Sequence, residues 1–173
     1  MPIERQSFLT ILEDSFSAYY DIVSQEHPTL PLVFRGDYLK RDERYWLMKS
    51  IPIWASETGE FAYIFSAEQF SPELAKACID FALEDGLPRV KPHKDHQHTD
   101  IKVLLIADSA REETRRLVQK SSFTKNYHHS FWGFSNLLAA IVDLQEEKTY
   151  PNKAGYALEK YFRKLFDVRK EEG

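Results

Sequence analysis

Ile101-Lys102-Val103-Leu104-Leu105-Ile106-Ala107 is the stretch on which the reading of the fold turns. Almost every position in it is aliphatic. A strand with one solvated face would alternate apolar and polar residues; a near-continuous aliphatic run marks a strand covered on both faces. Residues 101–107 therefore predict a central strand. Upstream of it, Ser71-Pro72-Glu73 reads as a helix start. Serine accepts from free N–H groups, proline presets φ at the first helical position, and glutamate suits the positive end of the helix. Leu74, Ala77, Cys78, Phe81 and Ala82 then form its buried face, and the helix stops near Gly86, with Pro88 and Pro92 bracketing a loop. Downstream, Ser109-Ala110-Arg111-Glu112 matches a capping box before a helix of about a dozen residues.

The chain ends follow from the same periodicities. Phe8, Ile11, Leu12, Phe16, Tyr19, Ile22 and Val23 recur at helical spacing and predict an amphipathic helix from residue 4 to about residue 25. Residues 32–39, 45–54 and 60–65 read as three strands of a meander, with turns at Arg41-Asp42-Glu43 and at Ala55-Ser56-Glu57-Thr58-Gly59. Residues 131–144 contain a further strand. Tyr150-Pro151-Asn152-Lys153 reads as a turn, and a final helix buries Ala157, Leu158, Tyr161, Phe162 and Leu165. The expected fold is α+β in the order α-β-β-β-α-β-α-β-α: a mixed, mainly antiparallel sheet of about five strands with helices packed on it. The 173 residues are read as a single domain, since no linker-like segment interrupts them.

Composition narrows the function classes. With 43% apolar and 14% aromatic residues the chain can bury a core. A net charge of −4 provides no general field for a polyanion, so nucleic acid is not favoured as a partner. No apolar run approaches the ~20 residues of a membrane span. The opening residues carry Glu4, Arg5, Glu13 and Asp14, unlike a signal peptide. The one cysteine, Cys78, falls in an apolar run and suits a reducing compartment, so a cytoplasmic location is expected. A leftover edge of the meander could pair with a second copy of the chain to make a homodimer.

Chemistry concentrates in Lys91-Pro92-His93-Lys94-Asp95-His96-Gln97-His98-Thr99-Asp100, immediately before the central strand. A period of two would place His96, His98 and Asp100 on one face, with alternate positions ~6.6–7 Å apart, a span that two imidazoles can bridge to one divalent ion. His128 could approach from the next strand. Zinc, iron or nickel would suit such donors. The alternative is a polar loop whose histidines are solvated or satisfy backbone groups. No nucleophile elbow, phosphate loop, Cys-x-x-Cys or His-Glu-x-x-His appears. A buried thiol such as Cys78 stays protonated, which argues against a nucleophile there.

Two resemblances bear on these residues. Over residues 4–107 the order α-β-β-β-α-β resembles the core of restriction-endonuclease-like nucleases. Asp42 could stand for their metal-binding aspartate, but Glu60-Phe61-Ala62 has alanine at the lysine position and Lys49 lies on another strand. At Lys49-Ser50-Ile51-Pro52-Ile53-Trp54, His98-Thr99, Trp132-Gly133-Phe134-Ser135, Val142-Asp143-Leu144 and Asn152-Lys153-Ala154-Gly155, the chain resembles an uncharacterised prokaryotic family of similar length. That resemblance implies a shared fold only. These positions suggest a cleft at the strand ends built from Lys49, Trp54, His98, Trp132 and Lys153. The expected function is a non-catalytic binding or interaction domain for a small ligand or a protein; the alternative is a metal-dependent hydrolase using residues 93–100.

Overall fold

The computed structural model describes the backbone of residues 2–45 and 52–172, and the side chains of these apart from 41–45, 52–55 and 172. The elements are α1 (Arg5–Ser17), β1 (Asp21–Ser24), β2 (Leu32–Tyr45), β3 (Pro52–Ala67), α2 (Pro72–Gly86), β4 (His96–Ala107), α3 (Glu112–Lys120), β5 (Thr124–Asn126), β6 (Phe134–Asp143), β7 (Lys148–Pro151) and α4 (Ala157–Glu172), with a 3-10 turn at Leu87–Arg89. The strands form one sheet in the order β1-β2-β3-β4-β6-β5, and β7 pairs with β6. The β3–β4 and β4–β6 pairs are parallel and the other four are antiparallel, so the sheet is mixed.

β4 is central, as its aliphatic run requires. Ile101, Val103, Leu105 and Ala107 pack with Cys78, Ile79 and Ala82 of α2 and Val118 of α3. Leu104 and Ile106 pack on the opposite face with Phe8, Leu12 and Phe16 of α1 and Phe162 and Phe166 of α4. Both faces of the sheet are thus covered, which is why alternation vanishes from this strand. Burial pushes the Cys78 thiol up to about 12. The start of α2 is as its residues predict: Ser71 Oγ accepts from the Leu74 N–H at 3.1 Å, with Pro72 at the first helical position.

Several expectations need correction. There are seven strands among the described residues, not five. The first helix ends at Ser17, and Ile22 and Val23 extend in β1, opposite Gly36 and Arg35. β1 therefore covers what would have been the meander's open edge, and the sheet ends there in a four-residue strand. The two stretches with turn chemistry are not turns. They face each other in one long hairpin, Arg41 opposite Glu57, Asp42 opposite Ser56 and Leu39 opposite Gly59. Pairing with β4 ends at Glu57↔His96, so the residues beyond belong to a two-stranded ribbon, where polar residues do not conflict with a buried sheet face.

Ser109 does not cap α3 either. The N-cap position is Arg111; the Ser109 hydroxyl accepts from Gln69 Nε2 at 3.1 Å, the Ser109 N–H meets the Glu68 carbonyl at 3.3 Å, and the Ala110 N–H is held by Asp143 Oδ2 at 2.9 Å. Partners from the connection between β3 and α2 hold the Ser109 groups that the local box would use. Lys148–Pro151 forms β7, where Tyr150 and Pro151 were expected in a turn. In α4 the buried residues are Leu158, Phe162 and Phe166, while Ala157 is exposed.

Candidate functional site

The imidazole-rich segment does enter the central strand, but not with an unbroken period. His96 pairs with Glu57 and His98 with Thr58, leaving Gln97 as an extra residue on β4. Such a bulge reverses the facing of what precedes it. His96 consequently shares a face with Thr99, while His98 and Asp100 lie on the other. The His96 ring is buried and fully engaged: Nδ1 meets the Trp132 carbonyl oxygen at 2.6 Å, and Nε2 meets Thr99 Oγ1 at 2.9 Å. A carbonyl only accepts, so Nδ1 carries the proton and Nε2 takes the Thr99 hydroxyl hydrogen in the neutral ring. No nitrogen lone pair remains for an ion.

His98 stacks on Phe134, its ring 5.7 Å away, with Nε2 3.8 Å from Asp100 Oδ2. His128 sits elsewhere, its ring 4.6 Å from that of Trp132. The four proposed ligands His96, His98, Asp100 and His128 are thus not brought together. Among the described residues no three His, Cys, Asp or Glu side chains converge as a metal site.

Residues 127–133 form a tight loop, with His128, His129, Ser130 and Gly133 all at positive φ. A side chain on Gly133 would lie 2.0 Å from the Gln97 carbonyl oxygen, so only glycine lets the loop close onto the bulge. Of the sequence-proposed cleft, Lys49 and the Trp54 side chain lie outside the described residues, as does the side chain of Asp42, the aspartate of the nuclease resemblance. His98 and Trp132 lie at the same end of the sheet, His98 pairing with Phe134 two residues beyond Trp132. Lys153 is exposed beyond β7. Its neighbour Asn152 is structural: this buried amide accepts from the Ala139 and Gly155 N–H groups and donates to the Leu137 and Ser121 carbonyls.

A cleft lies on the α1 and α4 side of the sheet. α1 starts near the carboxyl ends of the parallel strands, where Arg5 reaches Asp108 at 3.5 Å, and runs back over the sheet. α4 runs the opposite way, so the end of α1 and the start of α4 meet above the middle of β4. Between them is a cavity of about 320 Å³, walled by Phe16, Tyr19 and Tyr20 from the α1 end, Leu138 of β6, and Ala157, Leu158 and Tyr161 of α4.

Its floor is charged. Register places Ala62, Lys102 and Leu138 side by side, and Glu60 beside Asp100. The Lys102 ammonium donates to Glu60 Oε2 at 2.8 Å and to the Tyr20 hydroxyl at 3.2 Å, and that hydroxyl donates in turn to Glu60 Oε2. Burial, and then the Glu60 charge, hold the Tyr20 hydroxyl well above the ordinary tyrosine range. Asp100, one step along the same face, is also pushed up, chiefly by burial; His98 and Lys102 work against the shift and Glu60 with it. At the rim Tyr161 and Ser15 share a hydrogen bond of 2.9 Å, and burial raises Tyr161 as well.

Sequence reasoning missed this site, yet one signal for it was present: Lys102 is the single charged residue within the 101–107 run. A cation on a strand covered on both faces needs an anionic partner and a reason to be there. The fold and cleft together define a three-layer α+β domain with a ligand-sized cavity between helix ends and sheet. The chain belongs to a family described as a domain of unknown function, DUF8052, matched over residues 4–164. No curated protein and no solved structure matches it. No helix among the described residues is long and apolar enough to cross a membrane.

Proposed function

We propose that this chain is a non-catalytic, cytoplasmic binding domain that takes a small, largely apolar ligand into the cleft between α1, α4 and the sheet. The observation that carries this reading is the Lys102–Glu60–Tyr20 group at the floor of an otherwise apolar cavity. A lysine and a glutamate on a covered sheet face contribute little to stability beyond what an apolar pair would provide. Their presence there makes sense as fixed polar contacts that orient a guest, as in small-molecule sites generally, and the cavity falls within the ~300–1,000 Å³ typical of such sites. The buried thiol of Cys78 accords with a reducing cytoplasm.

The test uses indole as an apolar probe. Saturation-transfer NMR should show indole bound to the wild-type protein, and Leu138→Trp, which fills the cleft from β6, should abolish the transfer while leaving the circular dichroism spectrum unchanged. Equal transfer to both proteins would refute the assignment.

A further inference from the structure

We propose that the ligand of this cleft is a zwitterionic amino acid with a large apolar side chain, its ammonium group on Glu60 and its carboxylate on Lys102 and the start of α4. This inference rests on the binding function proposed above and adds the charge pattern of the guest.

The floor presents two opposite, ionised groups side by side, each with capacity left over. Glu60 Oε2 receives both internal hydrogen bonds, and Oε1 has no partner among the described residues. Lys102 spends two of its three N–H donors, on Glu60 and Tyr20. A guest can therefore bind both without breaking the pair. Charge-assisted hydrogen bonds are roughly twice as strong as neutral ones, so two neighbouring groups of opposite sign favour a guest that carries the complementary signs close together. An α-amino acid places its ammonium and carboxylate one carbon apart.

The helices reinforce that polarity. α1 ends at Ser17, so its negative end lies over the cleft next to Phe16, Tyr19 and Tyr20. α4 begins at Ala157, and Ala157 and Leu158 at its positive end line the same cavity. Cations are favoured at the former and anions at the latter. The cavity is thus polarised along one direction by two helix ends and one ion pair. Its remaining walls are apolar and aromatic, and its volume of about 320 Å³ accommodates a phenylalanine- or leucine-sized guest.

Isothermal titration calorimetry on the intact chain tests this with four probes of one shape: L-phenylalanine, 3-phenylpropanoate, 2-phenylethylamine and 3-phenylpropanamide. L-Phenylalanine should bind at least about tenfold more tightly than each of the others. Glu60→Gln should weaken the two probes that carry an ammonium group, and Lys102→Met the two that carry a carboxylate. If any single-charge or neutral probe binds as tightly as L-phenylalanine, the zwitterion assignment is overturned and the cleft remains a binding site. If L-phenylalanine gives no heat while indole binds, the assignment is likewise overturned. Failure of all four probes and of indole would remove the binding function itself. Should either variant not fold, the wild-type ranking of the four probes still decides.

Discussion

Replacing Asn152 by alanine should be among the most damaging single changes in this protein. The side chain is 1% exposed and makes four hydrogen bonds, all to backbone: it accepts from Ala139 N–H at 3.1 Å and Gly155 N–H at 2.8 Å, and donates to Leu137 C=O at 2.9 Å and Ser121 C=O at 3.0 Å. It thereby joins β6, the end of α3 and the approach to α4. Each such bond contributes on the order of 1 kcal/mol net, and buried groups left without partners cost more, at ~1–3 kcal/mol each. Water entering the vacancy recovers part of that loss. The expected destabilisation is about 3–5 kcal/mol, a large share of a domain's total stability. Urea unfolding followed by circular dichroism and by fluorescence measures it, provided the two transitions coincide. Asn152→Asp is the sharper variant, because it keeps the shape and the accepting oxygen but turns an oxygen toward two carbonyls; it should lose as much as the alanine variant or more. A loss below about 1 kcal/mol for either would show that the amide does not hold these segments together.

Two further outcomes follow from the bulge and from the cleft floor. Gly133→Ala would force a β-carbon to 2.0 Å from the Gln97 carbonyl at φ +76°, which adds to the ~1–2 kcal/mol that a left-handed conformation costs an L-residue. The loop must then shift and loosen the His96–Trp132 bond, so a loss of about 3 kcal/mol or more is expected, together with disappearance of a slowly exchanging His96 Nδ1 proton from the NMR spectrum; wild-type stability in this variant would contradict the described closure. Asp100 is raised by burial, so its folded pKa lies above its unfolded one and stability falls as pH rises through the folded value. Asp100→Asn removes that dependence. The variant should therefore gain stability relative to wild type between the ordinary aspartate range and neutral pH, and a difference in urea midpoints that does not change with pH would count against it.

Much of the layering was legible from residues alone, and the site was not. The run from Ile101 to Ala107 located the central strand because burial on two faces leaves a compositional trace that needs no partner to interpret. Ser71-Pro72 located the start of α2 for a similar reason, since a cap acts within three residues. What failed was non-local. The turn chemistry around Asp42 and Gly59 was overruled by pairing along one long hairpin. The capping box at Ser109 lost to Glu68 and Gln69, forty residues earlier in the chain, which take its N–H and its hydroxyl. The histidine periodicity was broken by one extra residue, Gln97, which no local pattern announces. The cleft draws Tyr20, Glu60, Lys102 and Tyr161 from four distant parts of the sequence. Only the charge at Lys102 hinted at it, as an ion where an aliphatic side chain was expected.

The most direct test is methyl NMR of leucine-labelled protein during an indole titration. Leu138 and Leu158 line the cleft, whereas Leu83 and Leu117 line a trough between α2 and α3 on the opposite face and serve as internal controls. The account predicts that the largest, saturable shifts fall on Leu138 and Leu158 while Leu83 and Leu117 stay in place; shifts centred on Leu83 and Leu117, with the cleft methyls unmoved, would contradict it.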